Sequence, residues 1–399
     1  MESNHVVLIF NSNRFDFIGG GEYTTKMLYD GLGLKGYRIK IINPTRGSSE
    51  RSQNILQTLE GKTYITEERN FTNFRGPFFF LFRPLPALES FSSEAVNLVL
   101  ISRLPPFRYF EQVRNTGKIV IFLLHGIAIE NFHVGNIQVV LYQIYLRIQL
   151  RLLIFLICDM QNLHFQVLNN NILLYLRKIK VPTSNTHLIP SGVPVKEYAI
   201  QRNDEEFLVI FLGRINDVQK NVSLFLRFAR KILSRNQDKI RVVLMGPIEQ
   251  KKLIKDISDL TDDFQGRASY LGTIDENKKR DILSRGSLFL CTSNLEPFSL
   301  SVVEALSSGV PVISTPVSGP SYILSLERAF GEISSFHVRD LVKSAEYFFD
   351  KWLNNPDDYF ALRKKIRDLC LTHLNDDRMI NGYKQMIDQV RKSKERRRR

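Results

Sequence analysis

The chain has 399 residues, of which 43% are hydrophobic and 24% are charged. This balance excludes a largely disordered chain, and at about 100–200 residues per domain the length predicts two domains. The formal net charge is +14, and the last nine residues, Arg391–Arg399, contribute six of those charges (seven basic less one acidic). The basic excess is therefore partly a property of a C-terminal tail, of the kind that meets phosphate-rich surfaces.

Cysteine usage indicates a reducing compartment. The three cysteines, Cys158, Cys291 and Cys370, are far apart and form no Cys-x-x-Cys pair, so neither a disulfide framework nor a zinc site is predicted. The N-terminus begins with a strand-like segment, His5–Phe10, rather than a basic region and a long apolar run. We therefore expect no secretory signal and a cytoplasmic protein.

Short apolar segments alternate with amphipathic segments along the chain. In the first half, strands are predicted at His5–Phe10, Arg38–Asn43, Asn97–Ser102, Lys118–Leu124 and His164–Leu168, with helices at Glu22–Leu32 and Ile137–Ile157. In the second half, strands are predicted at Phe207–Leu212, Arg241–Met245, Ala268–Leu271, Leu288–Thr292 and Val310–Ser314, with helices at Val222–Leu233, Glu249–Leu260, Glu276–Leu283 and Leu300–Ser307. This pattern predicts an α/β protein with parallel sheets covered on both faces.

Two such runs predict two domains. The join lies near 189–203, where Pro190, Gly192 and Pro194 interrupt the pattern. We expect domains at 1–196 and 197–375, followed by a last segment, 376–399, that contains a periodic stretch at Met379–Val390 and the basic tail.

The strongest chemical signal is the segment Leu295–Thr315. Glu296 lies in a turn after a strand, a helix begins near Ser299, and Glu304 follows eight positions after Glu296. A helix N-terminus offers free N–H groups to a phosphate, and carboxylates on either side accept hydrogen bonds from sugar diols. The alternative is an acidic residue before the helix and an ordinary helical glutamate.

Three weaker signals also follow strands, where open α/β sheets bind ligands. Gly213 and Arg214 precede Lys220, and the two cations would offset a diphosphate, although isolated basic residues are usually solvated. The glycine run 19–21 opens a helix and either admits a ligand or makes a tight turn. His125 follows a strand, although a lone histidine is more often structural.

Taken together, these motifs resemble the retaining two-domain glycosyltransferases, the group of sucrose synthase, glycogen synthase and bacterial lipopolysaccharide and mannosyl transferases. The motifs are, in order, Gly19-Gly20-Gly21-Glu22, His125-Gly126, Pro190-Ser191-Gly192-Val193, Gly213-Arg214 with Lys220-Asn221, Gly246, Leu271-Gly272, and Glu296-Pro297-Phe298-Ser299-Leu300 with Glu304-Ala305. The resemblance implies a GT-B fold: two Rossmann-like domains whose parallel sheets face a central cleft, with the last helix crossing back to the N-terminal domain.

The resemblance also implies a role for each candidate residue. Arg214 and Lys220 would bind the donor diphosphate, Glu304 the ribose, and Glu296 the sugar hydroxyls, while His125 would touch the transferred sugar. The backbone of Phe298, Ser299 and Leu300 would contact sugar and phosphate, and Gly20, Gly21 and Gly213 complete the donor site. Three departures are Ser299 where the family commonly has glycine, Ser191 where asparagine is common, and an Arg214–Lys220 spacing one residue longer than the shortest family form.

The implied reaction moves a hexose from a UDP- or GDP-sugar to a glycan or lipid-linked acceptor with retention, by a front-face path. The chain has no Asp-x-Asp sequence, so no metal is expected, and no cofactor beyond the co-substrate. The alternatives are a non-catalytic sugar-nucleotide binding protein, a sugar-nucleotide epimerase, and a nucleic-acid-binding protein suggested by the charge. No nucleic-acid motif supports the last, so no specific nucleic acid is expected.

An anionic membrane surface is a further expected partner. The helix predicted at Ile137–Ile157 has a polar stripe of Gln143, Arg147 and Arg151, too much polarity for the roughly 20 mostly apolar residues that span a bilayer. The helix is either buried or lies in the interface, and the aromatic segment Phe71–Arg83 and the basic tail would add contacts. This predicts peripheral attachment.

Overall fold

A computed structural model describes residues 5–10, 20–42, 91–101, 107–130, 137–152, 161–235 and 238–398. Several residues singled out in the sequence, namely Gly19, Cys158 and Phe71–Arg83, lie outside these ranges. The chain divides into two compact units, of which the first contains Met1–Ile129, Gln143–Pro190 and Asp377–Arg399. The second unit contains Glu130–Tyr142 and Ser191–Asp376.

The described part of the chain contains twelve strands and twelve α-helices. The strands are β1 His5–Phe10, β2 Arg38–Ile42, β3 Val96–Leu100, β4 Val120–Leu123, β5 Leu163–Val167, β6 Thr186–Leu188, β7 Phe207–Leu212, β8 Ile240–Met245, β9 Ala268–Tyr270, β10 Leu288–Cys291, β11 Val312–Ser314 and β12 Gly331–Ile333. The helices are α1 Gly20–Leu34, α2 Phe107–Asn115, α3 Ile137–Leu152, α4 Asn170–Lys178, α5 Val222–Leu233, α6 Lys252–Asp263, α7 Glu276–Arg285, α8 Leu300–Ser307, α9 Ser318–Leu326, α10 Val338–Asn354, α11 Pro356–His373 and α12 Asp376–Arg398.

Each unit is built on a six-stranded sheet. The strand order is β2-β1-β3-β4-β5-β6 in the first unit and β12-β11-β10-β7-β8-β9 in the second. Every neighbouring pair is parallel. Strands β3, β4 and β5 are buried along their whole length, as expected where helices cover both faces of a parallel sheet. The predicted α/β class with two parallel sheets is confirmed.

The predicted strand ends lie within two residues of those observed. The largest shift of a helix start is in α6, predicted at Glu249 and observed at Lys252. The preceding residues instead follow the loop after β7: the N–H of Glu249 donates to the carbonyl of Ile215, and Ile248 pairs with Ile215 in an isolated bridge. A pairing with a distant segment leaves no trace in local periodicity.

Several observed elements were not among those predicted from the sequence. The unpredicted strands are β6 and β12, of three residues each. The unpredicted helices are α2, α4, α9, α10 and α11. Helix α11 does begin with a recognisable signal, because Pro356 occupies its first turn, where a proline loses no hydrogen bond.

Helix α12 corrects one expectation about the C-terminus. The basic segment from Arg391 is not a tail that follows a helix ending at Val390, because α12 continues without a break to Arg398. Within the first unit, a Cβ atom built on Gly31 would lie 2.5 Å from Ile380, so helices α1 and α12 pack closely. Asp388 accepts a 2.6 Å hydrogen bond from Tyr37, and Arg391 donates to the carbonyl of His5 at 2.7 Å.

The polar stripe predicted on helix α3 contains residues of different exposure, since Gln143 is buried and Arg151 is exposed. Gln143 is only 1% exposed and donates to the carbonyl of Ala128 at 2.9 Å, while Arg147 donates to the Gln143 side chain at 2.9 Å. The exposed large hydrophobic side chains of the helix are Ile137, Leu141, Ile144 and Ile148. Amphipathicity located the helix, and the structure shows which of its side chains are covered.

A buried arginine side chain links several backbone segments of the second unit by hydrogen bonds. Arg363 of α11 is 3% exposed and donates to the carbonyl oxygens of Gly309, Gln201, Ser284 and Ser308. Burial lowers the pKa of its guanidinium to about 10, so the side chain remains charged at neutral pH. Because the last carbonyls of a helix have no intrahelical partner, Arg363 completes the hydrogen bonding at the ends of α7 and α8.

Candidate functional site

The candidate residues of the second unit lie at the point where its strand order reverses. β7 lies between β10 and β8, so the connections that leave β7 and β10 run to opposite sides of the sheet. In open α/β sheets ligands bind at such a switch point, beyond the carboxyl ends of the strands. The loops concerned are residues 213–221 after β7 and 292–299 after β10, and they contain Arg214, Lys220 and Glu296.

Lys220 and Glu296 form a direct ion pair between the Nζ and Oε2 atoms. Their side chains are only 13% and 8% exposed, and the Ser293 hydroxyl donates to the same Oε2 at 3.3 Å. Thr292 fixes the backbone next to the lysine by donating to the Lys220 carbonyl at 2.9 Å. The structure therefore brings together two residues that the sequence assigned to different parts of a donor.

Arg214 lies at the more exposed end of the same loop. Its guanidinium is 51% exposed, lies 3.3 Å from Glu249 Oε1 and also donates to the Gln219 side chain. Asn216 shapes the loop, since its Oδ1 accepts hydrogen bonds from the N–H groups of Gln219 and Lys220 at 2.9 and 3.1 Å. Arg214 and Lys220 therefore differ in environment, one solvated and one buried.

Gly213 leaves room for the lysine side chain. A Cβ atom at this position would lie 3.3 Å from Lys220 Cε, tighter than ordinary van der Waals contact. The glycine at the end of β7 therefore permits the path of the lysine toward Glu296.

Helix α8 begins at the carboxyl end of β10 without a side-chain cap. Its first N–H groups have no partner within the helix, which is the arrangement that suits a phosphate. Ser299, the residue before Leu300, has a φ of 84°, a left-handed conformation that favours glycine. A glycine would adopt this conformation without strain, which gives a physical reason for the glycine expected here from the resemblance to the two-domain glycosyltransferases.

Gly319, at the start of α9, lies against the turn that carries Glu296 and Phe298. Its N–H donates to the Glu296 carbonyl at 2.8 Å, and a Cβ atom on it would lie 2.5 Å from the Phe298 nitrogen. Phe298 itself is 3% exposed. The turn is therefore held between two helix starts, those of α8 and α9.

Glu304 is buried within α8 and has two partners that the sequence did not indicate. Its Oε1 accepts from Lys279 Nζ at 2.6 Å and from the Tyr198 hydroxyl at 3.2 Å. Burial raises the pKa of the Glu304 carboxyl, and the Lys279 ammonium opposes that rise. Lys279 is one of several charged residues along α7, so nothing in its local sequence distinguishes it.

Glu130 is a second residue that the sequence analysis missed. It is 2% exposed and accepts hydrogen bonds from the Ser318 N–H at 2.7 Å, the Ser318 hydroxyl at 2.8 Å and the Glu296 N–H at 3.3 Å. Burial raises the pKa of its carboxyl to about 7, although the hydrogen bonds from Ser318 act in the opposite direction. Glu130 belongs to the second unit by its contacts, although it precedes Glu296 by 166 residues.

His125 follows β4 in the first unit. Its Nε2 lies 2.9 Å from Gln166 Oε1 and 3.0 Å from the Tyr383 hydroxyl. The Gln166 amide nitrogen donates to the carbonyls of Val167 and Ile189, so Oε1 is its accepting end and Nε2 of His125 carries the proton. Burial lowers the pKa of His125 to about 4, which leaves a neutral ring with Nδ1 as the unprotonated nitrogen.

Gly20 and Gly21 are the first residues of α1. The Thr25 hydroxyl donates to the Gly21 carbonyl at 2.9 Å, an interaction within the first turns of the helix. The sequence places these glycines before a helix that starts near Glu22, whereas the observed helix begins two residues earlier and includes both of them.

Within the described ranges, no group of three or more histidine, cysteine, aspartate or glutamate residues has the geometry of a metal site. The described helices also include none that is both long and apolar enough to cross a membrane. Cys291 and Cys370 are both buried free thiols.

Comparison with known families gives a match within the second unit. Residues 196–372 match the family model "Glycosyl transferases group 1". A probable sucrose-phosphate synthase of Thermosipho melanesiensis is 24% identical over 206 residues, which is 50% of this chain and 47% of that protein. The GPI3 subunit of the Saccharomyces cerevisiae phosphatidylinositol N-acetylglucosaminyltransferase is 27% identical over 147 residues, 36% of this chain and 31% of that protein. The chain thus spans less than half of the length of either curated relative.

Solved structures share the fold over nearly the whole chain. A glycosyltransferase from Rickettsia africae superposes with a TM-score of 0.68 at 13% identity, covering 97% of this chain and 98% of the other. Anabaena Alr3699/HepE in complex with UDP-glucose gives a TM-score of 0.65 at 13% identity, covering 97% and 99%. The implied GT-B fold is thereby confirmed.

Proposed function

We propose that this chain, whose residues 196–372 match the family model "Glycosyl transferases group 1", transfers a hexose, with retention, from a nucleotide diphosphate sugar. The donor is a UDP- or GDP-sugar, and the acceptor is a glycan or a lipid-linked glycan. The observation that carries the proposal is the buried Lys220–Glu296 pair at the switch point of the second sheet, beside the uncapped start of α8. The similarity in fold between this chain and a protein solved in complex with UDP-glucose supports the choice of donor.

In this proposal the diphosphate lies between the basic loop after β7 and the N–H groups at the start of α8. When the donor binds, the Lys220 ammonium leaves the Glu296 carboxylate and pairs with a phosphate. The Arg214 guanidinium adds a second positive charge beside the diphosphate. Fixed cations and N–H dipoles stabilise the charge that develops on the leaving diphosphate. Glu296, released from the lysine, accepts hydrogen bonds from hydroxyls of the sugar, while Glu304 accepts them from the ribose.

The reaction follows a front-face path. The bond between the anomeric carbon and the phosphate oxygen breaks, and an acceptor oxygen forms a bond to the same carbon on the same face. The acceptor proton passes to an oxygen of the departing diphosphate. Because the departing diphosphate takes the acceptor proton, the proposed reaction uses no protein side chain as a base. The protein positions the donor and the acceptor and stabilises the developing charge, and no metal or further cofactor is part of the proposal.

His125 is proposed to accept a hydrogen bond from a hydroxyl of the transferred sugar. Its Nε2 is engaged by Gln166 and Tyr383, and a neutral ring offers Nδ1 as an acceptor. Gly20 and Gly21 are proposed to allow the donor to approach the backbone at the start of α1.

A thermal-shift screen with UDP, GDP and ADP tests the donor site. The correct diphosphate should raise the unfolding temperature, because a ligand that binds only the folded state stabilises it by about 2.7 kcal/mol at a hundredfold excess over its Kd. Glu304→Gln should lose most of this shift. His125→Ala should keep it while losing sugar transfer, because the bare nucleotide lacks the sugar that His125 contacts. If none of the three nucleotides shifts the wild-type protein, the proposed donor class is wrong.

Product analysis separates the rival functions. Incubation with a labelled sugar nucleotide yields a glycoside or free sugar for a transferase, an isomerised sugar nucleotide for an epimerase, and unchanged donor for a binding protein. The two buried carboxylates Glu296 and Glu304 favour a sugar nucleotide over a nucleic acid, because carboxylates accept hydrogen bonds from the hydroxyl groups of a sugar and a ribose.

We further propose that the protein attaches to the cytoplasmic surface of an anionic membrane. The exposed hydrophobic residues of α3, at positions 137, 141, 144 and 148, recur on one face of the helix. The exposed Lys392 and Arg396 at the end of α12 add attraction of about 1 kcal/mol per basic residue near anionic lipid. Such attachment would bring the enzyme to a lipid-linked acceptor.

Flotation with vesicles of phosphatidylcholine and phosphatidylglycerol tests this attachment. Binding is expected at low salt, with a marked loss at high salt or when Lys392 and Arg396 are replaced by glutamate. Leu141→Asp should also reduce binding, whereas Ile254→Asp, at a half-exposed position of α6, is the matched control. Absence of low-salt binding by the wild-type protein would overturn the proposal.

A further inference from the structure

The Glu130 carboxylate is a convergence point of donors inside the second unit. Both of its oxygens are engaged: Oε2 accepts from the Ser318 N–H, and Oε1 accepts from the Ser318 hydroxyl and the Glu296 N–H. A carboxylate loses much solvation free energy when it is 2% exposed, and hydrogen bonds from donors of this kind offset that loss. The residue is therefore held firmly by the backbone and side chain of Ser318 and the backbone of Glu296.

The partners of Glu130 are parts of the candidate site. Glu296 has its N–H bound by Glu130 and its carbonyl bound by the N–H of Gly319, so the backbone of this one residue is fixed on both sides. Ser318 and Gly319 both belong to the first turn of α9. Since a Cβ atom on Gly319 would lie 2.5 Å from Phe298, the start of α9 and the turn at Glu296 cannot move independently.

We propose that Glu130 is a positioning residue that sets the orientation of Glu296 toward the transferred sugar. This inference rests on the proposed function of Glu296 and deepens it. Glu130 bonds to the backbone of Glu296 and leaves the Glu296 side chain to Lys220 and Ser293. It acts through Glu296 and touches neither the nucleotide nor the reacting atoms.

The position of Glu130 separates its effect from that of the diphosphate-binding residues. Glu130 contacts the turn at Glu296 and the start of α9, whereas Glu304 and Lys279 form a separate cluster. A change at Glu130 should therefore alter the sugar-dependent step and spare the affinity for a bare nucleoside diphosphate.

The experiment compares Glu130→Gln and Ser318→Ala with the wild-type protein. Glutamine has the size of glutamate but places an amino group where donors converge, so kcat should fall on the order of 10–100-fold, as expected for a small displacement of a contact to the substrate. The Kd for the nucleoside diphosphate should stay within about twofold, since no diphosphate contact is lost. Ser318→Ala keeps the backbone N–H and removes one hydroxyl, so its loss of kcat should be smaller.

A second readout does not depend on activity. Hydrogen exchange of the peptides that cover residues 293–300 and 317–322 should be faster in Glu130→Gln without ligand, because both segments lose a shared acceptor. Glu327→Gln, which changes a carboxylate paired with His373 in the same unit, is the control and should leave exchange, kcat and Kd unchanged.

The outcomes distinguish the two proposals. Unchanged exchange in both peptides overturns the positioning role, and so does a wild-type kcat in Glu130→Gln. An equal loss of diphosphate affinity and kcat also overturns it, since Glu130 would then support the whole site. A wild-type protein that binds the diphosphate but transfers no sugar, while the exchange difference persists, contradicts the proposed transferase function and leaves the tie between Glu130 and Glu296 established.

Discussion

Lys220→Met is expected to weaken nucleoside diphosphate binding by about 10–100-fold, equivalent to roughly 1.5–3 kcal/mol, and to reduce turnover further. The side chain is 13% exposed, so water screens its charge little and a phosphate that replaces Glu296 gains a strong charge-assisted bond. Arg214→Ala should have a smaller effect, because its guanidinium is half exposed. Isothermal titration with the nucleotide identified by thermal shift gives both affinities.

A double-mutant cycle with Glu296 separates ligand binding from the resting ion pair. Lys220→Met leaves a buried carboxylate without its cation, which destabilises a fold strongly, whereas removing both charges is much less costly. The variant that combines Lys220→Met and Glu296→Gln should thus be more stable than Lys220→Met alone, yet equally poor at binding the diphosphate. Lys231→Met, at an exposed position of α5, is the control. Wild-type diphosphate affinity in Lys220→Met would remove the lysine from the donor site.

Arg363→Met is expected to lower the free energy of unfolding by roughly 3–5 kcal/mol. The guanidinium supplies hydrogen bonds to four carbonyl groups, of which those of Ser284, Ser308 and Gly309 are buried, and an orphaned buried acceptor costs about 1–3 kcal/mol before the chain relaxes. Methionine retains most of the apolar volume, so the loss measures the polar contacts rather than a cavity.

Chemical denaturation followed by circular dichroism measures this loss as a lower transition midpoint. Lys365→Met, two residues further along the same helix at an exposed position, removes the same charge and should shift the midpoint very little. An equal shift in both variants would mean that lost charge, and not the bonds of Arg363, destabilises the fold.

Local signals carried most of the prediction of this fold. The continuous apolar runs of β4, β7 and β10 and the helical period of α5 depend only on neighbours in the sequence, and their bounds were placed within two residues. The strand-end rule then selected the loops after β7 and β10, because that rule depends on chain order alone. Lys220 and Glu296 were recognised from their own loops.

What the sequence determined is the parallel α/β architecture and the motif-bearing loops, since periodicity and turn chemistry act over a few residues. The tertiary structure decided which side chains meet: Glu130 with Glu296, Tyr198 with Glu304, and Lys220 with Glu296. It also decided that Gln143 is buried on α3. Amphipathicity defines two faces of a helix, but which face is covered depends on segments far away in the chain, whose positions are set only when both sheets and their helices have packed.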